Sequence, residues 1–245
     1  MEILKRTKEQ ADQSLLDELA QKELSRRKFL RFSGLAGASA LILGGSGLTG
    51  CREDDGATDG VNLGSGDIGV LNYAYALEQL EAAFYTQVMA TPYSNMAALE
   101  SEYLKDIRDH EIAHREFFKA ALGSNAIPGL EVDFSSINFT SRDSVLATAK
   151  AFEDLGVAAY NGAGKLLTST DYLLLAGKIV SVEARHAALV RDLISNGSFA
   201  DLASLAPLGA NNTNGLDAAL NPPEVLAIAS TYVKTRINAS NLPTS

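Results

Sequence analysis

Two Glu-x-x-His pairs, Glu111–His114 and Glu183–His186, constrain this chain more than any other feature. Each is preceded by a glutamate and a tyrosine seven residues apart, Glu78 and Tyr85 before the first pair, Glu153 and Tyr160 before the second. A Glu and a His three apart project from one face of a helix, so both can reach the same point. Four carboxylates facing one another in an apolar interior would repel and take up protons. Two divalent cations would cancel that charge, and carboxylate with imidazole and no thiolate suits iron or manganese. The pattern predicts four helical segments that turn six side chains toward a pair of metal ions.

Hydrophobic spacing places those segments. The first begins after Ser65 or Asp67 and runs to about Ala90, with Ala74, Glu78, Glu81, Tyr85 and Val88 on one face. Thr91-Pro92-Tyr93-Ser94 breaks it. The second continues to about Leu122, with an inward stripe of Leu104, Ile107, Glu111, His114, Phe118 and Ala121, and Gly123 and Pro128 end it. The third starts near Ser141 and carries Leu146, Ala149, Glu153, Gly156, Tyr160, Ala163 and Leu167. The fourth starts near Asp171, carries Ala176, Ile179, Glu183, His186, Val190 and Leu193, and stops at Asn196-Gly197. Strict alternation is almost absent, so no strands are expected in the body. Short connections make the first two segments one antiparallel hairpin and the last two another. The long stretch from Gly123 to Thr140 can extend roughly 60 Å. A helix of this size is about 42 Å long, so the stretch can cross the bundle and start the third helix beside the start of the second. The expected fold is all-α, a four-helix bundle of two hairpins joined by one long crossover. Asn221-Pro222-Pro223-Glu224 then opens a fifth, C-terminal helix, with Val225, Leu226, Ala229, Tyr232 and Val233 toward the bundle.

The two hairpins carry an internal duplication. Leu77 to Tyr85 aligns with Phe152 to Tyr160, which sets Glu78 against Glu153 and Glu81 against Gly156. The ligand shared by both halves is therefore Glu78, and Glu81 reads as a helix-surface carboxylate or one standing behind the ligands. Glu78 with His114 would hold mainly one ion, Glu153 with His186 the other, and Glu111 and Glu183 would bridge. Tyr85 and Tyr160 lie two turns from Glu78 and Glu153. Either they donate hydrogen bonds to ligand carboxylates or they are ordinary bundle packing. His110 is about 100° around its helix from Glu111 and reads as a surface residue. The run Glu100-Ser101-Glu102 reads as a solvated face.

Composition sets the outer limits. The net charge of −9 excludes nucleic acid as a partner, because phosphate binding needs a basic face. One cysteine excludes disulfides, zinc ribbons and thiolate iron sites on count alone. That cysteine, Cys51, closes the sequence Leu48-Thr49-Gly50-Cys51, which resembles a bacterial lipobox. Upstream, Ser25-Arg26-Arg27-Lys28-Phe29-Leu30 resembles a twin-arginine export signal, followed by a Gly-rich apolar run. Together they predict a chain exported by the twin-arginine route and anchored to a membrane surface through lipidated Cys51, as a periplasmic or cell-surface lipoprotein. Residues 1–51 are then a charged extension plus signal, 52–66 a flexible tether, and 67–240 the bundle with its C-terminal helix.

At the residues above, and at Leu71-Asn72-Tyr73-Ala74-Tyr75-Ala76-Leu77-Glu78 running into Glu81-Ala82-Ala83-Phe84-Tyr85, the chain resembles the ferritin-like superfamily of di-iron carboxylate proteins, in the group that includes desiccation-related proteins. The resemblance covers roughly residues 65–235. It implies that Glu78, Glu111, His114, Glu153, Glu183 and His186 ligate two metals. Activities in the superfamily include iron oxidation and storage, peroxide reduction and oxygen activation. The chain lacks the cysteine-rich iron domain of rubrerythrins, and a lipid anchor sits badly with a storage cage. The expectation is an exported di-metal carboxylate protein that handles peroxide, oxygen or ferrous iron, with a homodimer among its partners. The rival expectation is a non-enzymatic, stress-related envelope protein whose metals staple the bundle.

Overall fold

The computed structural model describes residues 60–210 and 213–244. The export motif, Cys51 and the tether up to residue 59 lie outside the described residues.

Helix α1 (Gly66–Ala90) is apolar and buried on nearly every side, from Val70, Tyr73 and Leu77 to Phe84 and Val88. Spacing alone predicted one inward face. The structure covers the opposite side as well, because non-helical chain is strapped along it. Asn72 Nδ2 donates to the carbonyls of Leu63 at 3.0 Å and Asn125 at 2.9 Å, and its Oδ1 accepts from Ile127 N–H at 3.0 Å. Further along, Gln79 Oε1 accepts from Leu130 N–H at 2.8 Å. Two amides thus satisfy backbone that would otherwise be buried without partners.

Helix α2 (Ala98–Leu122) ends where Gly123 takes φ +55°, a left-handed turn suited to glycine. Helix α3 (Arg142–Ala163) is capped by Ser141, whose hydroxyl accepts from Ser144 N–H, and helix α4 (Thr170–Ile194) is capped in the same way by Ser169. Three contacts fix how the hairpins α1–α2 and α3–α4 lie. Arg142 pairs with Glu100, joining the start of α3 to the start of α2, and donates to the carbonyl of Leu193 at 2.7 Å, at the end of α4. Asp67 accepts from Thr168 and Ser169, joining the start of α1 to the start of α4. The segment from Gly123 to Ser141 therefore runs the length of the bundle, and α3 starts beside α2.

The Arg142 pair also corrects the reading of Glu100 as solvated. Its carboxylate is buried, forked by the guanidinium at 2.7–3.1 Å, and accepts from the Tyr93 hydroxyl. Glu102 remains exposed.

The boundaries of the body shift at both ends. Val61–Asn62 (β1) pairs in parallel with Ile237–Asn238 (β2), and Leu63 is fully buried. The body therefore starts at residue 60, inside the stretch read as tether, and continues past 240 to the buried Leu242. Val132 forms an antiparallel bridge to Val233. These strand pairs are too short for alternation to reveal. Helix α5 (Pro222–Ala229) opens on a capping box between Asn221 and Glu224. Among the described residues no helix is long and apolar enough to cross a membrane.

Just before α5 the chain passes directly over Gly162 of α3, and a Cβ there would lie 1.8 Å from the Leu220 carbonyl oxygen. Leu220 N–H also donates to the Ala158 carbonyl at 2.9 Å. Gly162→Ala should therefore detach the 213–244 segment. The expected outcome is faster proteolysis within that segment and destabilisation of about 2 kcal/mol or more by chemical denaturation.

Candidate metal centre

The four helices of the bundle each bring one or two polar side chains to its middle. Glu78 comes from α1, Glu111 and His114 from α2, Glu153 from α3, and Glu183 and His186 from α4. All four carboxylates are fully buried, His186 nearly so, and only the His114 side chain retains 13% exposure. The placement follows from helix geometry: the i, i+3 pairs share a face, and the duplication repeats that face in both hairpins.

The ligating atoms fall into two groups. Glu78, Glu111, Glu183 and His114 form one, and Glu153, Glu111, Glu183 and His186 form the other, with the atoms of each group within 4.8 Å of one another. Glu111 and Glu183 belong to both. His114 Nδ1 lies 2.9 Å from Glu183 Oε1, 3.4 Å from Glu78 Oε2 and 3.6 Å from Glu111 Oε2. His186 Nδ1 lies 2.9 Å from Glu111 Oε1, 3.3 Å from Glu153 Oε2 and 3.5 Å from Glu183 Oε2.

None of these inward atoms has a hydrogen-bond partner. The orphaned set comprises Oε2 of Glu78 and of Glu153, both oxygens of Glu111 and of Glu183, and Nδ1 of both histidines. Buried polar atoms are normally satisfied, and eight convergent exceptions in one place are the arrangement that two cations would complete. The other oxygens of the two outer carboxylates are occupied. Tyr85 donates to Glu153 Oε1 at 2.5 Å, and Tyr160 donates to Glu78 Oε1. Each tyrosine therefore holds the carboxylate of the opposite hairpin, leaving that residue's second oxygen turned inward.

Two further residues lie beside the cluster. His110 is exposed, as its offset predicts, yet its Nδ1 lies 2.8 Å from His186 Nε2 and the rings stack at 11°. With a cation on its inward Nδ1, His186 would carry its ring proton on Nε2 and donate it to His110. This partner was missed by sequence reasoning. The available signal was the spacing His110-Glu111-x-x-His114, which elsewhere marks zinc peptidases. Here His110 belongs to neither ligating group. Glu81, in turn, is not on the surface but buried against Gly156, outside both groups.

Fold and site together define a four-helix bundle with a buried carboxylate–histidine cluster at metal-binding distances. A family model described as the ferritin-like domain matches residues 66–196, and the chain belongs to that family. No curated protein matches the chain.

Electrostatics sharpen the picture. Burial pushes Glu78 and Glu81 well above the usual carboxylate range and raises Glu153 to about 8. Burial acts on Glu111 too, but the two imidazoles outweigh it and hold that carboxyl at about 2. Burial alone would lower His114 and His186, yet the surrounding carboxylates raise both to about 12. Without metal, the cluster is thus a store of protons. Glu153 moves from an ordinary 4.5 to about 8, so its stabilising contribution is complete below 4.5 and is lost as pH rises through 8. The histidines act in the same sense, beginning at 6.5. Metal binding must displace these protons and therefore strengthens with pH. Chelator-treated protein should lose thermal stability between pH 5 and pH 9, while the additional stabilisation by Mn2+ grows over the same interval. Melting curves with and without the ion check both trends.

Proposed function

We propose that this chain is a di-metal carboxylate protein that uses a pair of iron or manganese ions for redox chemistry on peroxide, oxygen or ferrous iron. The observation that carries this reading is the set of eight orphaned, converging ligand atoms. Glu78 with His114 would hold one ion, Glu153 with His186 the other, and Glu111 and Glu183 would bridge. Six side chains leave coordination positions open for a small reactant, and a bound redox-active pair supplies the electrons for peroxide or oxygen reduction.

The chain's own residues set the conditions for that chemistry. Leu, Phe and Ala packing around the cluster keeps bulk water away from the four carboxylates. Tyr85 and Tyr160 fix the outer carboxylates in one rotamer. Burial and the adjacent glutamates hold both phenols protonated, so each keeps its proton on Oη as a donor. His110 orients the His186 ring from the solvent side. The twin-arginine-like and lipobox-like sequences ending at Cys51 support export and anchoring at a membrane surface, with the bundle held outside the bilayer.

The test is metal analysis of chain folded with iron or manganese. The expected result is two ions per chain, loss of both in Glu111→Ala/Glu183→Ala, and an absorbance change when peroxide is added to the iron form. A chain that binds two ions and ignores both peroxide and oxygen would instead use the metals as a staple.

A further inference from the structure

The duplication is broken at one position next to the centre. One turn beyond the outer glutamate stands Glu81 in the first half and Gly156 in the second. The missing side chain leaves a small cavity walled by Leu77, Leu80, Phe152 and Leu155, with enclosed room for about one water molecule. The Glu81 carboxylate points into it, and its Oε1 would lie 3.1 Å from a Cβ at position 156. Among the described residues no group donates a hydrogen bond to Glu81. By contrast, Glu78 and Glu153 take tyrosines, and Glu100 and Asp154 take arginines. A buried carboxylate with no partner is costly to keep. Glu81 also retains 4% exposure where Glu78 and Glu153 retain none. Of these three α1 and α3 glutamates it is therefore the one that touches solvent.

We propose that the gap at Gly156 is the port through which divalent cations reach the centre, and that Glu81 is the carboxylate that receives them on the way. The inference rests on the di-metal reading above and adds the path of loading. The space is smaller than organic ligands require, but it admits a cation that has shed most of its water. The rise along the helix from Glu78 to Glu81 is about 4.5 Å, a single step for an ion. Each proton that an incoming cation displaces uncovers a carboxylate, so the five clustered carboxyl groups favour a cation over an anion. The absence of a side chain at Gly156 is what makes room for the Glu81 carboxylate.

The experiment follows Co2+ uptake by the full metal-free chain in stopped flow, using the visible absorption of the bound ion, and then its release to a chelator. Glu81→Gln should slow uptake and release together by about tenfold or more, with two ions still bound at the end and the affinity unchanged. Gly156→Ala, which narrows the gap at the carboxylate, should slow both in the same sense. Uptake at the unaltered rate in both variants would overturn the port. Loss of an ion or of affinity in Glu81→Gln would overturn it differently, by making Glu81 a ligand. An unsubstituted chain that takes up no Co2+ would remove the centre itself, and the port with it.

Discussion

Four carboxylates buried at one point are the constraint around which this bundle is built. Alone, they repel, and each loses the hydration that made it acidic. The metal-free protein answers with protons, held on the histidines and on the outer glutamates, while Glu111 stays ionised between two imidazoles. Two cations would replace those protons with fixed charge and satisfy every inward-facing atom at once. The apolar shell gives such ions their strength, because the same low polarity that penalises a bare carboxylate tightens its hold on a cation.

The tyrosines make the two hairpins interdependent. Tyr85 on α1 holds Glu153 on α3, and Tyr160 on α3 holds Glu78 on α1. Neither hairpin can present its outer ligand in the right rotamer without the other. Arg142 and Asp67 perform the corresponding task at the two poles of the bundle, where they tie the start of one helix to the start of another. The cluster is thus positioned from its middle by hydroxyls and from its ends by charge.

Much of this architecture was legible in the chain. The i, i+3 pairs and the repeated Glu–Tyr spacing picked out six residues that the structure brings together, and the long crossover followed from reach alone. What escaped notice has a common cause. Periodicity reports which residues face a helical neighbour and says nothing about irregular chain laid over the far side. Leu63, Asn125 and Ile127 cover α1 and bury residues whose spacing suggested exposure. Glu100 looked solvated because its arginine lies forty-two residues away. His110 lies on the surface as its offset suggested, but an angular offset from Glu111 does not reveal contact with a third helix, where His186 waits. Glu81 was separated correctly from Glu78 by the duplication, but only the packing shows that it turns inward against Gly156.

The parallel pairing of Val61–Asn62 with Ile237–Asn238 has a mechanical consequence. The two ends of the folded body are stitched side by side, so tension arriving from residues before 60 is taken up by this short seam, together with the Leu63–Asn72 bond, before it reaches any helix. Under such load the seam should part before the helices, and whatever lies between them, lose register.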